Sequence, residues 1–232
     1  MPNFDWRLTQ TNPLVNRFVD SSIGWPEWTR LVTALSNLGT SPSPNACQAV
    51  FDVFLQGADA AAAKAPAPRE CRVFVSHRGT TRDTAFAERI AFRAVRAGYE
   101  YWLDIHDPTL HFINNSPAIQ SPARDILIAA IIEMGLLNAS HVIAVMTDDS
   151  AGSKWIPYEF GRAKQRLIFS SCSATWLEPT MQASTCGEYI HLGVMNGNEN
   201  DIDRWLGATS PPYCTHSATS IWPNPDEPAP LP

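Results

Sequence analysis

The residues best suited to chemistry stand in three short runs. Ser153-Lys154-Trp155-Ile156-Pro157-Tyr158-Glu159 sets an indole and a carboxylate four residues apart. On a helix, such residues lie one above the other on one face. Pro157 is tolerated only in or near a first turn, so it fixes where the helix starts, with Ser153 at the N-cap. There the Trp155 face can stack on a flat heterocycle or a cation, and Glu159 can accept sugar hydroxyls and oppose a developing positive charge. The plainer reading of the pair is a packing Trp beside a surface Glu. The second run, Ser76-His77-Arg78-Gly79-Thr80-Thr81-Arg82-Asp83, groups hydroxyls, an imidazole and a guanidinium. Arg78 could pair with a phosphate through two bonds, or the run is a polar turn. It is not a dinucleotide fingerprint or a P-loop, because neither G-x-G-x-x-G nor GK[ST] occurs. The third is Asp104, which could accept ribose hydroxyls or cap its own loop.

These residues share one kind of position, the end of an expected strand. From Glu70 the chain alternates strands and helices. Strands are expected at Cys71 to Ser76, Tyr99 to Asp104, His141 to Thr147, Arg166 to Ser171 and Tyr189 to Gly193. Helices are expected at Thr84 to Ala97, ended by Gly98, and at Ala123 to Leu137, Lys154 to Gln165 and Asp201 to Leu206. Ile105 to Gln120, with Pro108 and Pro117, reads as a long loop, beyond the usual length of a strand-to-helix connection. Five strands alternating with helices predict an α/β fold, a flavodoxin-like five-stranded parallel sheet whose ligands bind beyond the C-terminal strand ends. A small helical N-terminal extension precedes it. One helix opens at Trp25-Pro26 and stops before Gly39. A second runs from Ala46 to Lys64, with Val50, Val53 and Phe54 near helical spacing. Ala65-Pro66-Ala67-Pro68-Arg69 then forms a stiff linker. The expected organisation is 1–69 extension and linker, 70–207 sheet domain and 208–232 Pro-rich tail.

Composition narrows the function. The chain has 232 residues, 44% hydrophobic, 17% charged, with a net charge of −6. That excludes wholesale disorder and argues against a nucleic-acid partner, which needs a dense Lys/Arg field. Nineteen prolines crowd the ends, seven before Arg69 and seven from Pro211 onward, which marks a folded middle with Pro-rich flanks. The start Met1-Pro2-Asn3-Phe4-Asp5-Trp6 lacks the pattern of a signal peptide, and the longest apolar stretch, Ile126 to Leu137, is too short to span a bilayer. A cytoplasmic protein with no membrane partner is expected. The five cysteines (Cys47, Cys71, Cys172, Cys186, Cys214) form no CxxC, and Cys214 with His216 lacks a second ligand pair. Neither a metal site nor a disulfide framework is expected.

Four segments in order resemble the TIR (Toll/interleukin-1 receptor) domain family, and more closely its bacterial members. They are Val73-Phe74-Val75-Ser76-His77; Trp102-Leu103-Asp104; Asn138-Ala139-Ser140-His141 ahead of the third strand; and Ser153-Lys154-Trp155-Ile156-Pro157-Tyr158-Glu159-Phe160, which is similar to the family's S-x-W-x-x-x-E signature. The resemblance implies the same flavodoxin-like sheet and, in enzymatic members, cleavage of NAD⁺ at the nicotinamide–ribose bond with no cofactor beyond that substrate. It makes Glu159 the catalytic residue and Ser76, His77, Arg78, Asp104, Ser153 and Trp155 the substrate-binding residues. It also implies self-association through TIR–TIR contacts, with Ile105 to Gln120 as the loop that meets neighbouring protomers, and it leaves room for a separate sensor or effector protein as partner. The expected function is an NAD⁺ glycohydrolase or cyclase, an anti-phage immune effector or signal-producing enzyme. Two alternatives stand beside it: a non-catalytic TIR interaction module, and a flavodoxin-like binder of another nucleotide.

Overall fold

The computed structural model describes residues 24–39, 41–64, 72–117, 119–166 and 172–209. The linker 65–71, Cys214, His216 and the tail from 210 onward lie outside the described residues, as does most of the strand expected at 166–171. The chain divides into two compact units, Met1–Pro66 with Asp104–Asn138, and Ala67–Leu103 with Ala139–Pro232.

The first unit is helical: α1 (Gly24–Asn37), α2 (Pro44–Lys64), α4 (Pro108–Asn115) and α5 (Ala123–Leu137). In α1, Trp28, Leu31, Val32 and Leu35 recur at helical spacing and are buried. The buried stripe of α2 is Cys47, Phe51, Phe54 and Ala58; Val53, expected on that face, is exposed. Both helices pack on α5, whose residues from Ala130 through Leu137 are all buried. The expected loop at 105–120 is largely helical. Asp104–His106 forms a 3-10 turn, and α4 follows at once. The Asp107 carboxylate caps α4 by accepting from the amides of Thr109 and Leu110 (2.8 and 3.0 Å), and Pro108 enters where its missing N–H costs nothing.

The second unit holds the sheet: β1 (Arg72–Ser76), β2 (Glu100–Trp102), β3 (His141–Met146), β4 (Ser173–Leu177) and β5 (Val194–Asn196). All neighbours are parallel and the order is β2-β1-β3-β4-β5, the flavodoxin-like arrangement. Every residue of β1 and β3 is buried, as central parallel strands require. Phe74 and Trp102, register partners on β1 and β2, stack with centroids 4.6 Å apart. Helices α3 (Thr81–Arg96), α6 (Trp155–Arg166) and α7 (Glu199–Thr209) complete the unit. Helix α3 ends as expected at Gly98 (φ +84°), with amides of Gly98 and Tyr99 returning to the carbonyls of Val95 and Ala94. Arg89 and Arg93 bind Glu199 and tie α3 to α7.

Two strands lie later than expected. Helix α6 continues through Arg166, and β4 is Ser173–Leu177, in register from Val142↔Ser173 to Met146↔Leu177. The fifth strand is not Tyr189 to Gly193. Glu188–Leu192 is a 3-10 helix, and the Ile190 carbonyl accepts from Thr175 Oγ1 (3.1 Å), so it is spent on a side chain rather than a ladder. Gly193 then passes so close to β4 that an added Cβ would lie 2.9 Å from the Ser173 carbonyl oxygen. Only Val194–Asn196 pairs.

Candidate functional site

Strand β1 is flanked by β2 on one side and β3 on the other, so the sheet's strand order switches between β1 and β3. Ligands of doubly wound sheets bind at that edge. Ser76, the last residue of β1, pairs with Ala144 of β3, two residues before that strand ends.

Helix α6 delivers the carboxylate. Its N-terminus forms as the sequence predicts: Ser153 Oγ accepts from the Ile156 amide (3.3 Å), and Pro157 falls in the first turn. Four residues after Trp155, Glu159 turns inward and is only 7% exposed. Its Oε2 accepts a 2.5 Å hydrogen bond from Ser76 Oγ, itself 1% exposed. A hydroxyl on a carboxylate at that distance is a strong, charge-assisted contact. Trp155 takes the other course. It stands at the helix start with nearly half its surface in solvent, beside Tyr158. The pair expected on one face therefore splits into an inward acid and an outward aromatic.

His77 is buried and its Nε2 meets Thr84 Oγ1 at 3.4 Å. Arg78 is exposed and donates through Nη1 to the backbone carbonyl of Asp149, and a Cβ on Gly152 would stand 3.8 Å from the same nitrogen. The guanidinium thus bridges the loops that follow β1 and β3. Asp104 falls in the helical unit, where its Oδ1 accepts from the Ile105 amide (2.7 Å) and caps the 3-10 turn after β2. Ser76, His77, Arg78, Ser153, Trp155 and Glu159 belong to the sheet unit; Asp104 does not share it.

The structure adds residues that sequence reasoning left out. Asp83 is completely buried in the first turn of α3, and its Oδ1 accepts from Thr147 Oγ1, just past β3. The Thr147 oxygen in turn accepts from the amides of Asp149 (3.1 Å) and Ser150 (3.4 Å). One hydroxyl therefore gives its proton to Asp83 and its lone pairs to the turn. Thr80 joins the same knot: its Oγ1 accepts from the Asp83 amide and donates to Asp149 Oδ2. Burial raises the Asp83 carboxyl above the ordinary carboxylate range, the bond from Thr147 works against that, and the neighbouring Asp149 charge adds to it. The Thr80-x-x-Asp83 spacing at a helix start was the available signal; nothing local links it to Thr147. Among the described residues, no group of three or more His, Cys, Asp or Glu side chains could hold a metal ion, and no helix is long and apolar enough to cross a membrane. Cys47, Cys172 and Cys186 are free thiols.

Chemically, the switch point offers a buried carboxylate that accepts from the Ser76 hydroxyl, an exposed indole one turn away, and a guanidinium on the rim. No family model, curated protein or solved structure matches the chain.

Proposed function

We propose that the sheet unit is a TIR-like catalytic domain that cleaves the nicotinamide–ribose bond of NAD⁺. The reading is carried by one observation: Ser76 of β1 hydrogen-bonds Glu159 of α6 at the switch point of a parallel sheet, with Trp155 one turn earlier on the same helix. Four segments similar to TIR motifs support it.

In NAD⁺ the nicotinamide nitrogen is already cationic. When the bond to ribose C1′ breaks, its electron pair passes to the ring nitrogen, neutral nicotinamide leaves, and the ribose carries oxocarbenium character. Glu159 accepts the ribose hydroxyls and opposes that charge from a buried position, where the interaction is stronger than in water. Ser76 fixes the carboxylate. Trp155 stacks on the flat base, and Arg78, held by the Asp149 carbonyl, faces the pyrophosphate. Attack by water gives ADP-ribose, nicotinamide and a proton; attack by an adenine nitrogen or a ribose hydroxyl gives a cyclic product. A cytoplasmic immune effector or signal-producing enzyme, active on self-assembly, fits this chemistry, because NAD⁺ loss or a nucleotide signal is its output.

The test is NAD⁺ consumption by the purified full chain, with products identified by mass spectrometry and Glu159→Ala as control. A non-catalytic interaction module would leave NAD⁺ intact in the assembled state. Equal activity in the Glu159→Ala variant would remove Glu159 from the mechanism.

A further inference from the structure

Helices α1 and α2 of the first unit enclose a groove that NAD⁺ cleavage does not use. Helix α1 ends at Asn37 and α2 begins at Pro44, while Glu27, early in α1, lies against Gly57, late in α2. The two helices are therefore antiparallel. Glu27, Leu31 and Ala34 recur at helical spacing on one, Val50, Val53, Phe54 and Gly57 on the other, and the two rows line a groove of about 610 Å³. Small-molecule sites have volumes of about 300–1,000 Å³. Leu31 and Phe54 are buried in the floor. Val53 stands on the rim and, at 69%, is the most exposed large apolar side chain among the described residues.

The groove is polar at one end only. Among the described residues that line it, Glu27 brings the one carboxylate, and it is 9% exposed. Its Oε1 accepts from Arg30 Nη1 (2.6 Å), from a side chain 73% exposed; no donor among the described residues meets Oε2. A carboxylate so far buried is costly to leave half satisfied, and an exposed guanidinium three residues along the same helix secures it weakly. Gly57 makes room for it: an added Cβ would lie 2.5 Å from Glu27 Oε2. A glycine inside a helix lowers helix stability, so α2 gives up strength at the place where the carboxylate rests.

We propose that this groove binds an organic primary ammonium with an elongated apolar body. The ammonium donates to Glu27 Oε2, and the body lies along Leu31, Phe54 and Val50 toward Ala34. Helix α1 advances about 10 Å between those ends, a span that a medium-length alkyl chain covers. A quaternary ammonium has no N–H to give, and an alcohol brings no charge to balance the buried acid. Arg30 competes for the same carboxylate and so sets the affinity. The assignment stands apart from the reading of Glu159 and NAD⁺.

Isothermal titration of the full chain at neutral pH with n-octylamine, octyltrimethylammonium and n-octanol tests it. The wild type should bind n-octylamine at least tenfold more tightly than either comparison ligand. Glu27→Gln should remove that preference, and Arg30→Gln, which takes away the competing cation, should strengthen n-octylamine at least twofold. Gly57→Ala should weaken n-octylamine at least threefold at an equal or higher melting temperature, because the flexible Glu27 side chain yields to the methyl and alanine favours the helix. Absence of n-octylamine binding to the wild type overturns the proposal, as does a preference that survives Glu27→Gln. Where the glutamine variant does not fold, undiminished binding in Gly57→Ala overturns it instead. Sedimentation velocity tests the rival occupant: a dimer that Val53→Asp dissociates and n-octylamine leaves intact would give the groove to a second copy of the chain and overturn the proposal.

Discussion

Ser76 donates to Glu159 and has little bulk to lose, so what this one bond contributes can be read by substitution. Ser76→Ala removes the 2.5 Å bond while leaving the carboxylate in place. Steady-state kinetics should show kcat for NAD⁺ falling about tenfold, in keeping with one charge-assisted hydrogen bond, and the fold intact by circular dichroism. Trp155→Ala, at an exposed position, should raise KM or abolish turnover without moving the melting temperature by more than a degree or two; loss of the thermal transition would make Trp155 a packing residue. The Asp83–Thr147 knot behaves differently, because a buried carboxylate without its donor is costly. Thr147→Val should destabilise the protein by about 1–3 kcal/mol in urea unfolding, and Thr147→Ser, which keeps the hydroxyl, should restore most of it. Equal stability of the valine and serine variants would show that the hydroxyl does not hold the turn.

At the scale of elements, what could be read from the chain depended on how local the cause was. The start of α6 follows from Ser153 and Pro157, and the end of α3 from Gly98, because capping and turn chemistry lie within a few residues. The spacing from Trp155 put Glu159 on the same face as the indole, and its inward turn was not legible there, because its partner Ser76 is 83 residues away. Helix α4 was hidden by its first residue, Pro108, and by Pro117 just beyond it, although Asp107-Pro108 is a helix-start signal. Strand β4 was misplaced because Ser173-Ala174-Thr175-Trp176-Leu177 owes its pairing to the register against β3, not to its own apolar pattern. Strand β5 was misplaced because Glu188–Leu192 winds into a 3-10 helix whose Ile190 carbonyl is engaged by Thr175, and the chain rejoins the sheet only after the close approach at Gly193. Gly193→Ala would bring a methyl within 2.7 Å of Phe160 Cζ and 2.9 Å of the Ser173 carbonyl. A loss of about 1–3 kcal/mol is expected in chemical denaturation, and a wild-type midpoint would contradict the packing described.

At the scale of the molecule, two consequences follow. Residues before 70 supply α1 and α2, whose buried stripes pack on α5 within one unit. A chain beginning at Arg69 would leave the apolar α5 uncovered. It should be insoluble or lack a cooperative thermal transition, whereas a soluble, more active truncation would make the segment inhibitory. Acid stability turns on His141, the first residue of β3. It is fully buried between Tyr99 and Trp205, with Nε2 at 3.1 Å from the Thr209 carbonyl, and burial lowers its pKa to about 4. Its folded pKa lies below the unfolded value of about 6.5. The unfolded chain therefore binds the proton first, and stability present above pH 6.5 is lost as pH falls toward 4, by about 3 kcal/mol. Urea titrations between pH 7 and 4.5 should show this loss in the wild type and a smaller one in His141→Gln.

The central claim is that a buried carboxylate at the sheet's switch point cleaves NAD⁺. It is tested most directly by mass spectrometry of NAD⁺ and its products, with the full chain at high concentration and the Glu159→Ala variant beside it. Release of nicotinamide with ADP-ribose or a cyclic form, reduced at least a hundredfold in the variant, is the predicted result. Intact NAD⁺ in the presence of assembled wild-type protein, or turnover that Glu159→Ala leaves unchanged, would contradict it.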